Sequence, residues 1–378
     1  MRRMHTTAFP ALPQLQSEGQ VLAAVHGGVG LLTLNRPQAL NALSLAMVRD
    51  LTTVLRHWAD APAVHAVVLC GNGRPGKPPA FCAGGDIRFF HQAALAGDPA
   101  LGDFFTEEYT LNHLIHRHPK PIVALMDGVV MGGGMGLGQG ARLRVLTEHA
   151  KVAMPETNIG LFPDVGGGHF LAACPGHVGE WLALTGQALG AADAIAFGLG
   201  DVCVPSAGLP ALLALLMEGQ VASAEDLLAR VQRLAVAAQP APSLPLLDRI
   251  NRHFAQPDLG GIMASLAAAP DDWSQATHQT LLQRSPLMMA VSLAQVRRGR
   301  ELGLADDLRM ERDLVHHCFE PRSGIGSETV EGIRALVIDK DHMPRWHPAT
   351  VADVTPEMVE AFFVSPWTPA THPLRGLD

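Results

Sequence analysis

Residues 121–140, PIVALMDGVVMGGGMGLGQG, run from an apolar strand pattern straight into a glycine-dense turn. Glycine inside a helix costs about 1 kcal/mol against alanine. A chain that concentrates it here must turn sharply or let something approach its bare backbone. The neighbouring stretches predict the scaffold. QVLAAVHGGVGLLTLN (20–35) reads as two strands about a Gly-Gly turn. RPQALNALSLAMVRDLTTVLRHWADAP has helical apolar spacing, and AVHAVVLCGNG is a buried strand. KPPAFCAGGDIRFFHQAALAG is a loop, then a helix. FFTEEYTLNHLIHRHPK is a helix ended by Pro119 and Pro121, and the strand PIVALMDGVVMGGG follows. This alternation predicts α/β layering. Beyond about residue 205 the chain is Ala/Leu-rich and helical, in two long stretches separated by Pro240, Pro242 and Pro245. The expected organisation is a lead-in over 1–18, disordered or loosely packed, an α/β core over 19–207, and a mainly helical region over 208–378 packed on it.

Composition narrows the function classes. The chain has 378 residues, 48% of them hydrophobic, enough for a substantial core. A net charge of −8 and a pI near 6.1 give no electrostatic footprint for nucleic acid. No apolar run has the length of a membrane span. The start, MRRMHTTAFPALPQLQSEGQ, lacks the apolar segment of a secretory signal. Cysteines 70, 82, 174, 203 and 318 are scattered without CxxC spacing, which argues against a disulfide framework or a zinc site and suits a reducing compartment. His113, His116 and His118 do not form HExxH, and His316 and His317 are adjacent on a helix. No metal is expected.

Four stretches carry candidate chemistry. In FCAGGDIRFF (81–90), Asp86 can cap a helix whose free N–H groups suit developing negative charge; a plain helix start fits the same residues. Glycines 132–134 can present a backbone N–H to a ligand. Gly136, Gly138 and Ala141 also fit the dinucleotide pattern G-x-G-x-x-A, with the acid Glu156 twenty residues after Gly136 but no clean strand leading to it. In AMPETNIGLFPDVGGG (153–168), Glu156 and Asp164 each follow a proline in an apolar setting. Burial would raise their pKa into the range useful for acid–base work, whereas exposed loop acids would be inert. On the helix, Phe104, Glu108, Leu111 and Ile115 share one narrow face, so Glu108 lies on the apolar stripe, with Glu107 toward its edge.

Together, LNRPQALNALS, FCAGGDI, GVVMGGGMGL and PETNIGLFPDVGGG resemble the enoyl-CoA hydratase/isomerase (crotonase) superfamily, in its order. EEYTLN (107–112), AMPETNIGLFPDVGGGHF (153–170), LALTG (182–186) and the C-terminal SPLMMAVSLAQVRRGRELGLADDLRMERDL and EGIRALVIDKDHMPRW resemble its 3-hydroxyisobutyryl-CoA hydrolase branch. The resemblance spans about residues 20–365. It implies a crotonase-like ββα spiral core with a helical C-terminal region. It implies an acyl-CoA thioester substrate and no metal or redox cofactor, CoA being part of the substrate. The implied oxyanion donors are the N–H groups of Gly85 and Gly133. Hydratases carry one glutamate matching Glu156, 23 positions after Gly133, and a second three residues after the oxyanion glycine, where this chain has Gly136. The hydrolase branch lacks the second and uses residues matching Glu156, Asp164 and Glu108. The resemblance therefore implies hydrolysis of a short 3-hydroxyacyl-CoA in valine degradation, with Glu156 attacking or activating water, Asp164 orienting and passing protons, and Glu108 reading the 3-hydroxyl. Another crotonase-type activity, hydratase or isomerase, is the alternative. The expected setting is a bacterial cytoplasm, or the mitochondrial matrix in a eukaryote. The expected protein is membrane-free and able to form homo-oligomers.

Overall fold

The computed structural model describes residues 13–218, 224–237, 239–319 and 326–378. Strands β1 (Val21–His26) and β2 (Val29–Leu34) form an antiparallel hairpin about Gly27 and Gly28, as the pattern predicts. The chain then adds parallel strands β3 (Ala66–Gly71), β5 (Ile122–Met126), β7 (Leu143–Leu146) and β9 (Val202–Cys203), giving a six-stranded sheet in the order β1-β2-β3-β5-β7-β9. The central strands β3 and β5 are buried on both faces, so they read as unbroken apolar runs rather than alternating ones. Val67 and Leu69 of β3 face the main core, while Ala66 and Val68 face a second cluster with Leu212, Leu216, Leu227 and Val231.

A second sheet holds three parallel strands, β4 (Ala80–Cys82), β6 (Val129–Met131) and β8 (Lys151–Ala153). Its presence corrects the reading of 121–134 as one strand. The chain leaves β5 at Asp127, turns at Gly128 with φ +78°, and joins the other sheet as β6. The turn admits only glycine, because a Cβ at Gly128 would stand 1.9 Å from the Pro79 carbonyl oxygen.

Helices α1 (Leu45–Asp60), α2 (Ile87–Ala96) and α3 (Ala100–Arg117) pack on the first half of the core, and the short α4 (Gly133–Gln139), α5 (Gly167–Ala172), α6 (Val178–Thr185) and α7 (Ala191–Ala196) follow. Helices α8 (Leu209–Met217) and α9 (Ala224–Gln232) cover the outer face of the large sheet. Helices α10 (Leu247–Phe254), α11 (Leu259–Ala268) and α12 (Asp272–Leu281) lead to α13 (Pro286–Gly299) and α14 (Leu304–Phe319). The second long helical stretch is thus two helices, broken at 300–303. One continuous apolar core joins the two regions, containing Val21 and Leu34 together with Ile250, Val296, Leu308 and Phe362. Of the lead-in, residues 1–12 lie outside the described residues. Its end is fixed rather than loose: the Gln16 and Ser17 N–H groups both donate to the Asp50 carboxylate at 2.8 Å.

Candidate active site

The three strands of the small sheet run parallel, so their carboxyl ends lie together. Strand β4 ends into Ala83–Gly84–Gly85, β6 into Gly132–Gly133, and β8 into Met154–Pro155–Glu156. Three stretches far apart in sequence are brought side by side by this register alone. The turns touch: a Cβ on Gly84 would lie 3.3 Å from the Met131 carbonyl oxygen and 3.5 Å from the Gly133 nitrogen.

The first two turns each carry an amide that the backbone bonds around it do not use. The Leu43 N–H donates to the Gly84 oxygen at 2.8 Å and the Asp86 N–H donates to the Leu43 oxygen at 3.0 Å, a bridge that skips the Gly85 N–H. Asp86 caps α2 as expected, accepting from the Phe89 N–H at 3.3 Å, and pairs with Arg36 at 2.7 Å, which ties the turn down. Gly133 heads α4, where first-turn N–H groups have no intrahelical acceptor. The helical ladder begins only with Met135 N–H to the Gly132 oxygen at 2.7 Å.

Side-chain carboxyls crowd these glycines. A Cβ on Gly133 would come within 2.4 Å of Glu108 Oε1, and one on Gly132 within 2.9 Å of Glu156 Oε1. Glu108 is 2% exposed, Glu156 6% and Asp164 5%. The exposed-acid alternative is therefore excluded for all three. Glu108 Oε1 and Glu156 Oε2 are buried without a protein hydrogen-bond partner, whereas Asp164 accepts from the Tyr109 hydroxyl at 3.0 Å.

Four residues outside the sequence-based candidates complete the centre. Tyr109 is the hydroxyl that orients Asp164. From the C-terminal helices, Glu311 accepts the Gly166 N–H at 2.7 Å and the Gly168 N–H at 3.0 Å. Asp307 accepts the His169 N–H at 2.9 Å, and Gln295 donates to the Pro163 oxygen at 2.6 Å and to Glu311 at 3.0 Å. These bonds cap the start of α5 and fix the loop that carries Asp164. No local signal distinguishes Glu311 from the other charges of LADDLRMERDL, since its partner lies more than 140 residues away.

Burial sets the electrostatics. It holds the Glu108 and Glu156 carboxyls well above the ordinary carboxylate range, and the neighbouring Asp164 raises both further. Asp164 is itself pushed up to about 7 by burial, with the Tyr109 hydroxyl partly offsetting the shift. The consequence for stability has a definite sign. The folded chain binds these protons more tightly than the unfolded chain, so the stability they contribute at low pH is lost as pH rises toward the folded values. Glu108→Gln removes one such group. Its melting temperature relative to wild type is expected to increase as pH rises above the ordinary carboxylate range, corresponding to at most about 1.4 kcal/mol per pH unit. A pH-independent difference in calorimetry would contradict a raised Glu108.

Other candidates fall away on geometry. The dinucleotide reading fails because the glycines of α4 are spacers for side chains: a Cβ on Gly138 would lie 2.5 Å from the Met126 sulfur, and one on Gly136 2.6 Å from Val165 Cβ. Cys82 borders the centre, but burial pushes its thiol up to about 12, so it is no nucleophile at neutral pH. Arg88 is exposed. Among the described residues no group of His, Cys, Asp and Glu is arranged to hold a metal, and no helix is long and apolar enough to cross a membrane.

Comparisons with known proteins identify the fold and the family. The family profile described as Enoyl-CoA hydratase/isomerase matches residues 29–363. The chain is 39% identical over 353 residues to a mitochondrial 3-hydroxyisobutyryl-CoA hydrolase of Xenopus tropicalis, covering 92% of this chain and 89% of that one. It is 38% identical to a probable 3-hydroxyisobutyryl-CoA hydrolase of Arabidopsis thaliana, covering 92% of both. Among solved structures, a protein described as a carnitinyl-CoA dehydratase from Mycobacterium thermoresistibile superposes with a TM-score of 0.84 at 37% identity, covering 93% of this chain and 97% of that one. A second, described as an enoyl-CoA hydratase from Rhodobacter sphaeroides, gives 0.81 at 40%, covering 92% and 98%.

Proposed function

The chain belongs to the enoyl-CoA hydratase/isomerase family, and on that footing we propose that it hydrolyses 3-hydroxyisobutyryl-CoA to 3-hydroxyisobutyrate and free CoA. The observation that carries this reading is the closed space at Gly136. A hydratase of this family needs a second glutamate there. Here any side chain would run into Val165 Cβ at 2.6 Å and Asn112 Nδ2 at 2.7 Å, both buried. A second acid comes instead from Glu108, across the glycine turn, and a third from Asp164. The hydratase and dehydratase descriptions of the two solved structures favour the other reading, which the blocked position argues against.

The reaction follows from the geometry. In this reading the thioester oxygen is held between the Gly85 and Gly133 N–H groups, on backbone that carries no Cβ. One preorganised donor of this kind is worth about 100- to 1000-fold in rate. Glu156 first gives up the proton that burial favours, and as the carboxylate it attacks the carbonyl carbon or takes a proton from the attacking water; both routes put the developing oxyanion on the same two amides. The C–S bond then breaks, and the thiolate sulfur recovers a proton from the carboxyl cluster; on the direct-attack route water then cleaves the glutamyl–acyl anhydride, which frees the acid and regenerates Glu156. Asp164, titrating near neutrality, is suited to pass that proton. Glu108, held protonated by burial, can donate to a substrate hydroxyl and accept from it.

The test of Glu108 is selectivity. A buried polar group built to pair with a substrate hydroxyl discriminates strongly against an analogue without it. Wild type should prefer 3-hydroxyisobutyryl-CoA to isobutyryl-CoA in kcat/KM, and Glu108→Ala should reduce that preference by about tenfold or more. An unchanged ratio would return Glu108 to a structural role.

A further inference from the structure

Asn112 is the residue of the 107–112 segment that the reaction scheme leaves unused. It stands four positions after Glu108 on α3, so the two side chains share a helix face. It is 3% exposed, and neither its Oδ1 nor its Nδ2 meets a protein hydrogen-bond partner. A buried polar atom without a partner is costly, and this side chain has two.

What surrounds Asn112 says what its partner is. Together with Gly136, Val165 and Gly166 it walls a cavity of about 160 Å³ behind the catalytic loop. The outer rim of that cavity includes Ala173 and Gly198, both exposed, so it opens to solvent. A water molecule's share of liquid volume is about 30 Å³, so several fit. Val165, next to Asp164 in the chain, lines the cavity as well. It holds φ at +58°, a left-handed conformation that β-branched residues rarely adopt. Such strain persists where the surroundings enforce it, and it concentrates at functional sites. Glycine at 136 is what lets the Val165 and Asn112 side chains meet at this point.

We propose that the water consumed in hydrolysis reaches the carboxyl cluster through this rear cavity, held by the Asn112 amide beside Val165, while acyl-CoA enters from the strand-end side. The inference rests on the hydrolase reading above. A bound thioester covers the glycine turns from the front, yet each turnover needs one water. Its oxygen forms the new bond to the acyl carbon, one of its protons passes to the carboxyl cluster, and the C–S bond breaks to release CoA. An amide with free donors and acceptors, one helical turn from Glu108 and lining the same cavity as Val165, is the group such a water requires.

Three variants test this, each assayed for thiol release from 3-hydroxyisobutyryl-CoA and for melting temperature. Ala173→Trp fills the rim, remote from the acyl site. It should lower kcat by about tenfold or more, with KM and melting temperature unchanged, because access rather than binding is restricted. Asn112→Leu keeps the volume and removes the polar atoms; it should lower kcat at least as much, again at constant KM. Asn112→Ser leaves room for water and one hydroxyl to hold it, and should restore turnover to within a few-fold of wild type. Full turnover in Ala173→Trp would overturn the route and leave the hydrolase reading intact. So would an Asn112→Ser variant that melts like wild type but is as slow as Asn112→Leu. A wild-type protein that releases no thiol from any acyl-CoA would remove the reading and the route together.

Discussion

Glu156→Gln is expected to lower kcat for thioester hydrolysis by about 100- to 10,000-fold, the usual range for loss of a positioned acid–base group. Loss of a covalent step would cost more. The side chain is buried against Gly132 and its Oε2 has no protein partner, so it is held for a reacting group rather than for the fold. Glutamine keeps the shape and removes both basicity and nucleophilicity. The affinity for an acyl-CoA, measured by calorimetry, should change little, because no other contact is disturbed. A variant retaining more than about a tenth of wild-type turnover would move the role to Asp164.

Gly133→Ala should be nearly as damaging for a different reason. The added methyl would lie 2.4 Å from Glu108 Oε1 and 3.2 Å from a Leu43 methyl, in the space where the thioester oxygen must approach the amide. The donor is pushed off the oxyanion or the Glu108 carboxyl is pushed off the substrate. A loss of about 100- to 1000-fold in kcat/KM is expected, the value of one oxyanion donor. Circular dichroism should show a folded protein, since Gly133 has ordinary helical backbone geometry and needs no positive φ. Near-normal kcat/KM in the folded variant would mean that the oxyanion does not lie against this amide.

The sequence made parts of this centre readable and hid others for definable reasons. Glu108 was legible because helical periodicity alone places it on the stripe of Phe104, Leu111 and Ile115, and the structure buries all four. Glu156 and Asp164 stood out as proline-pinned acids among apolar residues, and both are buried as that reading requires. The glycine turns were legible as bare backbone, but not which strands delivered them. The switch of β6 into a second sheet depends on the close approach of Gly128 to Pro79, a contact invisible to local pattern. Asp307, Glu311 and Gln295 were beyond reach because their partners lie across the fold, on a loop that local sequence describes only as glycine-rich. Gly136 was read as an absence, a missing acid. Its geometry makes it a positive feature, the gap that lets Asn112 and Val165 close on one another.

The central claim is that these three acids and two backbone amides cleave a thioester rather than add water to a double bond. It is tested most directly by supplying one preparation with 3-hydroxyisobutyryl-CoA and with crotonyl-CoA, following free thiol with a chromogenic disulfide and enoyl absorbance in parallel. The account predicts rapid thiol release from the first and little loss of enoyl absorbance from the second. Rapid hydration of crotonyl-CoA with no thiol release from 3-hydroxyisobutyryl-CoA would contradict it.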